Sequence, residues 1–189
     1  MNAEVADRFA GCLLGLAMGA TIGAGYAGVA GTDALYEYLE DGRTPGRGGL
    51  AESTDDAALA MATARAIVRG GRVEGSHLAR AYLEWFCSGG GSIGQSTWLA
   101  LRRLQRGVPW TEAGDTGRFA AGGAPAARIA PVGLLHAYAE AGMREDVRTC
   151  GMITHRNEEA IAGALAVAHI VARAARGALR PAQACAELQ

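Results

Sequence analysis

The run Ala160 to Ala172 carries no charge, and His169 is its only polar side chain. Alanine leads it, and alanine is the strongest helix former. Asn157, Glu158 and Glu159 stand before the run as a cap and first-turn acids. Arg173, Arg176 and Gly177 follow as a basic last turn and a stop, so the pattern predicts a helix from Asn157 to Arg176. A helix that is apolar all round must be buried on most sides, which places it at the centre of a bundle. No β pattern of any length competes. Aromatic residues make up only 6% of the chain, leaving a core of Ala, Leu, Val and Ile that favours closely packed helices over sheet.

A chain of 189 residues with 50% hydrophobic content can bury one sizeable core, and a single all-helical domain over 1–189 is expected. Its 18 basic and 19 acidic residues are scattered singly and nearly cancel, so there is no electrostatic footprint for nucleic acid. Cys12, Cys87, Cys150 and Cys185 lie far apart with no C-x-x-C pair. That spacing suggests neither a zinc site nor a disulfide framework and fits a reducing cytoplasm.

From Phe9 to Thr32 the chain is free of charge, long enough by the ~20-residue criterion to cross a membrane. Gly11, Gly15, Gly19 and Gly23 recur at four-residue spacing, a ridge that lets helices approach closely in membranes and in soluble bundles alike. The segment is mostly Ala and Gly, and Glu4, Asp7 and Arg8 precede it in place of a basic flank. The expectation is a buried helix ending near Gly23 to Gly25, packed by another helix on its glycine ridge, with no membrane span.

Further helices are expected at Thr32–Glu40, Thr54–Gly70, Leu78–Phe86 opened by Ser76, Trp98–Arg106, Val132–Ala141 and Val147–Ile153. A last amphipathic segment follows Pro181. The glycine- and proline-rich stretches Asp41–Ala51, Ser88–Ser92 and Gly107–Arg128 are loops. Leu78, Tyr82 and Trp85 or Phe86 form a core stripe at helical spacing.

Chemistry concentrates at Ser53-Thr54-Asp55-Asp56, where a loop becomes a helix. A hydroxyl and two adjacent carboxylates are the oxygen donors a hard cation such as Mg²⁺ prefers. The same residues also make an ordinary helix start, with a hydroxyl N-cap and acids at the positive dipole end. Gly90, Gly91, Gly122 and Gly123 can bring backbone amides to a diphosphate, or can simply supply loop flexibility. Arg128 either touches an anionic ligand or is a solvated loop residue. His155 is either a site residue or a loop histidine beside a cap, while His77, His136 and His169 are read as structural.

Five stretches, in order, resemble the ADP-ribosylglycohydrolase family, which includes the dinitrogenase-reductase-activating glycohydrolases. Arg8 to Gly19 is similar to that family's first helix, and Ser53-Thr54-Asp55-Asp56 to its Thr-Asp-Asp metal motif. Ile93 to Thr97 with Ala100-Leu101 resembles the helix after its first glycine loop. Arg128 to Leu134 resembles the end of its ligand loop, and Thr154-His155 with Glu158-Glu159-Ala160 its Thr-His helix start. The resemblance implies a compact orthogonal multi-helix bundle, of which this chain would form the N-terminal two-thirds. It implies a metal site of Thr54, Asp55 and Asp56 for Mg²⁺ or Mn²⁺, binuclear in the family, with the two acids catalytic. Gly90, Gly91, Gly122, Gly123, Arg128 and His155 would lie on the ligand.

The implied reaction is hydrolysis of the bond between C1 of ADP-ribose and an arginine, serine or related acceptor, on a protein or a small molecule. The chain also departs from the family pattern. Ala20 stands where the family has an acid, no glutamate occurs among Gly25, Tyr26 and Ala27, and Gly122-Gly123-Ala124 replaces Gly-Asn-Gly. The family's second acidic motif, Asp-x-Asp-Thr or Ser, has no counterpart in these 189 residues. Two readings therefore stand: a hydrolase whose missing acids come from elsewhere, such as a second chain, or a non-catalytic relative that binds ADP-ribose-like nucleotides or a protein partner.

Overall fold

The computed structural model describes residues 3–25, 54–90, 93–117 and 120–180. The expected helix Thr32–Glu40, the loop after it, the segment after Pro181, Gly91 and Cys185 lie outside these residues. Among the described residues the architecture is all-α, as the sequence predicts. The helices are α1 (Ala3–Gly25), α2 (Asp55–Gly70), α3 (Gly75–Cys87), α4 (Gln95–Gln105) and α5 (Trp110–Ala113), followed by α6 (Ala124–Ala127), α7 (Ala130–Leu135), α8 (Met143–Met152) and α9 (Glu158–Ala175). The only β-like feature among them is a two-residue parallel bridge between Asp115 and His155.

Helix α9 is the hub, packing against α1, α6, α7 and α8. Its start is set by Asn157, whose Oδ1 accepts from the Ala160 amide at 3.0 Å. Ala160, Ile161, Ala164, Ala168, Ala172 and Ala175 are fully buried and Leu165, Val167 and Val171 partly so, while Ala162 and Gly163 are exposed. The expectation of burial on most sides holds from Ala164 to Arg173, while the first turns open to solvent. Small side chains at three- and four-residue spacing draw the neighbouring helices closest along the fully buried stripe. At Gly133 of α7 a Cβ would come within 2.6 Å of the Ala168 carbonyl oxygen and 2.9 Å of Val171 Cβ, so only glycine fits between α7 and α9.

Helix α2 packs on α3 and α7. It closes at Gly71, whose left-handed φ of 68° lets its amide reach the Ile67 carbonyl at 2.7 Å. The core joins Leu59 and Ile67 of α2 to Leu78 and Tyr82 of α3, Leu101 of α4, Val132 of α7, Val147 and Cys150 of α8 and the α9 stripe. Burial of that apolar surface is the dominant favourable term in folding.

Helix α1 differs most from expectation. It ends at Gly25 as predicted, and Phe9, Cys12 and Leu13 pack on Leu134, Ala137 and Ala175. Arg8 ties it down by donating to the Ala175 carbonyl at 3.2 Å. Yet Leu14 and Met18 are 64% exposed, and a Cβ at Gly11, Gly15, Gly19 or Gly23 would meet nothing within 4 Å. Among the described residues the glycine ridge therefore carries no helix contact, and no residue of 3–24 is fully buried. By length and composition Ala3–Ala24 is apolar enough to cross a membrane.

Several boundaries also move. Ser76 lies inside α3, its hydroxyl donating to Glu74 Oε1 at 2.7 Å, and the N-cap position falls to Glu74. Helix α4 starts at Gln95, three residues before the expected Trp98, and the supposed loop 107–128 holds the one-turn helices α5 and α6. Helix α7 stops at Leu135. There His136 turns the chain, with Nδ1 2.8 Å from the Ala139 carbonyl and Nε2 2.7 Å from Asp146 of α8. Helix α8 begins at Met143, after Gly142 takes a φ of 87° that a side chain would disfavour.

Candidate active site

The acidic pair sits at the start of α2, and both expected roles of Thr54 meet there. In extended conformation, with φ −63° and ψ 156°, Thr54 caps the helix, its Oγ1 accepting from the Ala57 amide at 3.2 Å. Asp55 and Asp56 are half-buried. Burial pushes the Asp55 carboxyl above its ordinary range, against the lowering pull of backbone amides and of Arg128. Burial and then the charge of Asp55 push Asp56 up, again opposed by Arg128. Two neighbouring acids that resist carrying two negative charges are donors a divalent cation would relieve. Among the described residues no cluster of three or more His, Cys, Asp or Glu forms around them or elsewhere.

Across from the acids lies a buried polar ladder that joins α2, α3, α6, α8 and the turn before α9. Thr63 donates to the Leu59 carbonyl at 2.8 Å, which leaves its oxygen to accept from the Tyr82 hydroxyl at 2.7 Å. Burial, followed by the neighbouring Cys150, pushes the Tyr82 phenol far up, so it stays protonated. Cys150 Sγ stands 3.2 Å from the same hydroxyl. The Tyr82 ring carries the guanidinium of Arg128 on its face, 5.1 Å from the centroid.

Arg128 follows α6 and is wholly enclosed, at 0% exposure. Its Nη2 donates to the Cys150 carbonyl at 3.3 Å and, more closely, to Thr154 Oγ1. A solvated loop residue is thereby ruled out, and as it stands no face of the guanidinium is open to a ligand. Its Nε and Nη1 have no hydrogen-bond partner among the described residues.

From Arg128 the ladder runs on to His155, which is 2% exposed. Thr154 Oγ1 lies 2.8 Å from His155 Nδ1. Burial and then the charge of Arg128 hold the imidazole down to about 4, against an upward pull from Asp115, so the ring is neutral at pH 7. The Thr154 oxygen accepts from Arg128 and has one proton to give. We assign that proton to Nδ1, which leaves the ring proton on Nε2.

Asp115 completes the group. Its amide donates to the Thr154 carbonyl at 2.9 Å, and its carbonyl accepts from the Arg156 amide at 2.8 Å, which clamps the Thr154-His155 turn. Its carboxylate accepts from Ser96 Oγ at 2.7 Å and from the Gly117 amide at 3.0 Å, contacts that hold it below the usual range. Sequence reasoning named neither Asp115 nor Ser96 as a site residue. The available signal was Asp115-Thr116-Gly117, an Asx-turn pattern inside a stretch read as irregular loop.

Of the residues predicted for the site, Arg128 and His155 are joined through Thr154, and the charge of Arg128 also acts on Asp55 and Asp56. Gly90 packs against Trp85, where a Cβ would sit 3.1 Å from the ring. Gly123 stands before α6 with nothing within 4 Å of where its Cβ would be, and Gly122 is its partly buried neighbour.

The class so defined is an all-helical protein with an acid pair at a helix start, a clamped Thr-His turn, and a buried arginine whose charge acts on both. The chain belongs to the ADP-ribosylglycohydrolase family, whose sequence profile matches residues 1–189. It is 30% identical over 171 residues to an uncharacterised protein of Archaeoglobus fulgidus, covering 88% of this chain and 55% of that protein. It is 28% identical over 168 residues to the ADP-ribosylarginine hydrolase Tri1 of Pseudomonas putida, covering 84% of this chain and 44% of Tri1. The fold is similar to that of a solved ADP-ribosylglycohydrolase-related protein complex, with TM-score 0.68 and 27% identity over 96% of this chain and 60% of that one. The chain thus spans about half the length of the curated relatives it matches.

Proposed function

We propose that this chain carries the ADP-ribose-binding side of an ADP-ribosylglycohydrolase-like hydrolase that cleaves the bond between ADP-ribose and an acceptor. The carrying observation is that the enclosed Arg128 is a charged neighbour of Asp55 and Asp56 on one side and, through Thr154, of His155 on the other. Family membership and the likeness to Tri1 support the reaction class and an ADP-ribosylated protein or small molecule as substrate. Free cysteines at Cys12, Cys87 and Cys150 fit a cytoplasmic location as part of the same proposal.

Asp55 and Asp56 suit Mg²⁺ or Mn²⁺ as hard oxygen donors, and Thr54 stands beside them. A bound divalent ion would orient the ribose hydroxyls and lower the pKa of the attacking water. Asp55 and Asp56 point ~100° apart on the helix, so they can address different sides of such a site. His155 is neutral with the proton on Nε2, so a ligand oxygen reaching the small exposed edge of this 2% exposed ring would accept a hydrogen bond and meet no positive charge. Asp115 and Thr154 keep that ring in one orientation. Amides near Gly90, Gly91, Gly122 and Gly123 complete the proposal as contacts to the diphosphate.

One observation favours a second reading. No third acid joins the pair among the described residues, so the site there offers at most three oxygen side chains, and a non-catalytic ADP-ribose-binding relative fits it as well. Incubation with ADP-ribosylarginine and Mg²⁺ separates the two. Release of free ADP-ribose that is lost in Asp55→Asn with Asp56→Asn supports the hydrolase. Saturable binding without product supports the binder or a requirement for acids from a second chain, and neither binding nor release refutes the proposal.

A further inference from the structure

We infer that Arg128 is a positioning residue for His155: from beneath the site it fixes the Thr154 hydroxyl, which fixes the imidazole, and it does so without touching ligand itself. The inference rests on the reading of His155 as a site residue and adds how that ring is held. Three observations carry it.

First, the guanidinium is sealed from solvent and stacked on Tyr82, so no ligand reaches it without a rearrangement of the core. Secondly, it is continuous with the ring through two contacts, Arg128 Nη2 to Thr154 Oγ1 and Thr154 Oγ1 to His155 Nδ1 at 2.8 Å. Thirdly, its Nε and Nη1 are buried without a partner among the described residues. Burying a cation with no carboxylate partner among the described residues is costly, and an apolar side chain of similar volume commonly fills such a place at least as well. A stability role alone therefore explains the arginine poorly, whereas a fixed charge beside the Thr154-His155 turn explains it directly. The charge also opposes a second positive charge on the ring, while the carboxylate of Asp115, whose backbone clamps the same turn, favours one.

The test uses the full chain with Arg128→Lys, Arg128→Met and Thr154→Val, free ADP-ribose as the probe, and NMR titration of the His155 ring with its nitrogen shifts. Arg128→Met should raise the His155 titration midpoint by about one pH unit or more as the nearby charge is removed. Arg128→Lys, which keeps the charge, should stay closer to the parent. Thr154→Val should leave the ring in mixed tautomers and weaken ADP-ribose binding about tenfold, the size of one well-placed hydrogen bond. A folded Arg128→Met whose His155 titrates as in the parent overturns the inference, and so does weaker binding in that variant with the ring unchanged, which would make Arg128 a ligand contact. If Arg128→Met fails to fold, Thr154→Val decides: a single parental tautomer there overturns it. A parent that binds no ADP-ribose refutes the proposed function, while the titration shift still tests the positioning role.

Discussion

Replacing His155 with glutamine should remove a defined part of the protein's pH dependence. In the folded chain the imidazole is held down to about 4, from an ordinary 6.5, by burial and by Arg128. The unfolded chain therefore binds the proton more readily between those two values. A depressed histidine contributes stability that is fully present above about 6.5 and is lost as pH falls toward 4. The gap of about 2.5 units corresponds to an expected loss of about 3 kcal/mol at 1.36 kcal/mol per unit. Urea unfolding of the parent and His155→Gln at intervals from pH 4 to 8 measures it.

The difference between the two proteins isolates the ring. Asp55 and Asp56, with raised pKa values, lose stability in the opposite sense as pH rises, and they do so in both proteins. Asp115, lowered, loses its contribution only below the window. Parent and variant curves that stay parallel from pH 6.5 to 4 would refute the coupling of His155 to Arg128 and to burial.

Asp55→Asn with Asp56→Asn should leave the chain as stable or more stable without metal, because two half-buried acids repel, and should abolish stabilisation by Mg²⁺. Thermal melts with and without millimolar Mg²⁺ and Mn²⁺ check this, and a parent indifferent to both ions removes support for the metal site. Ala164→Asp places an unpaired carboxylate at a position with 0% exposure on the α9 stripe and should cost roughly 3 to 5 kcal/mol; a variant that melts like the parent would show that α9 is not central. Gly133→Ala sets a methyl 2.6 Å from the Ala168 carbonyl oxygen and should cost about 1 to 3 kcal/mol, read as a shift in the urea midpoint.

What the sequence determined by itself is local. Thr54 and Asn157 mark the starts of α2 and α9 because a capping side chain bonds amides only three residues away. Gly71 marks the end of α2 because its left-handed turn is set within one residue. The all-α class followed from alanine-rich periodicity, and the acid pair, Arg128 and His155 were legible through ordered family motifs. Tertiary structure decided what those residues face. Sequence cannot report that Asp115 clamps the Thr154-His155 turn, or that Arg128 lies sealed on Tyr82, because each contact joins segments that only packing brings together. The glycine ridge of α1 shows the same limit in reverse. Four-residue spacing makes close approach possible, but whether a helix lies on that face depends on where its neighbours go, and among the described residues they pack on Phe9, Cys12 and Leu13 instead.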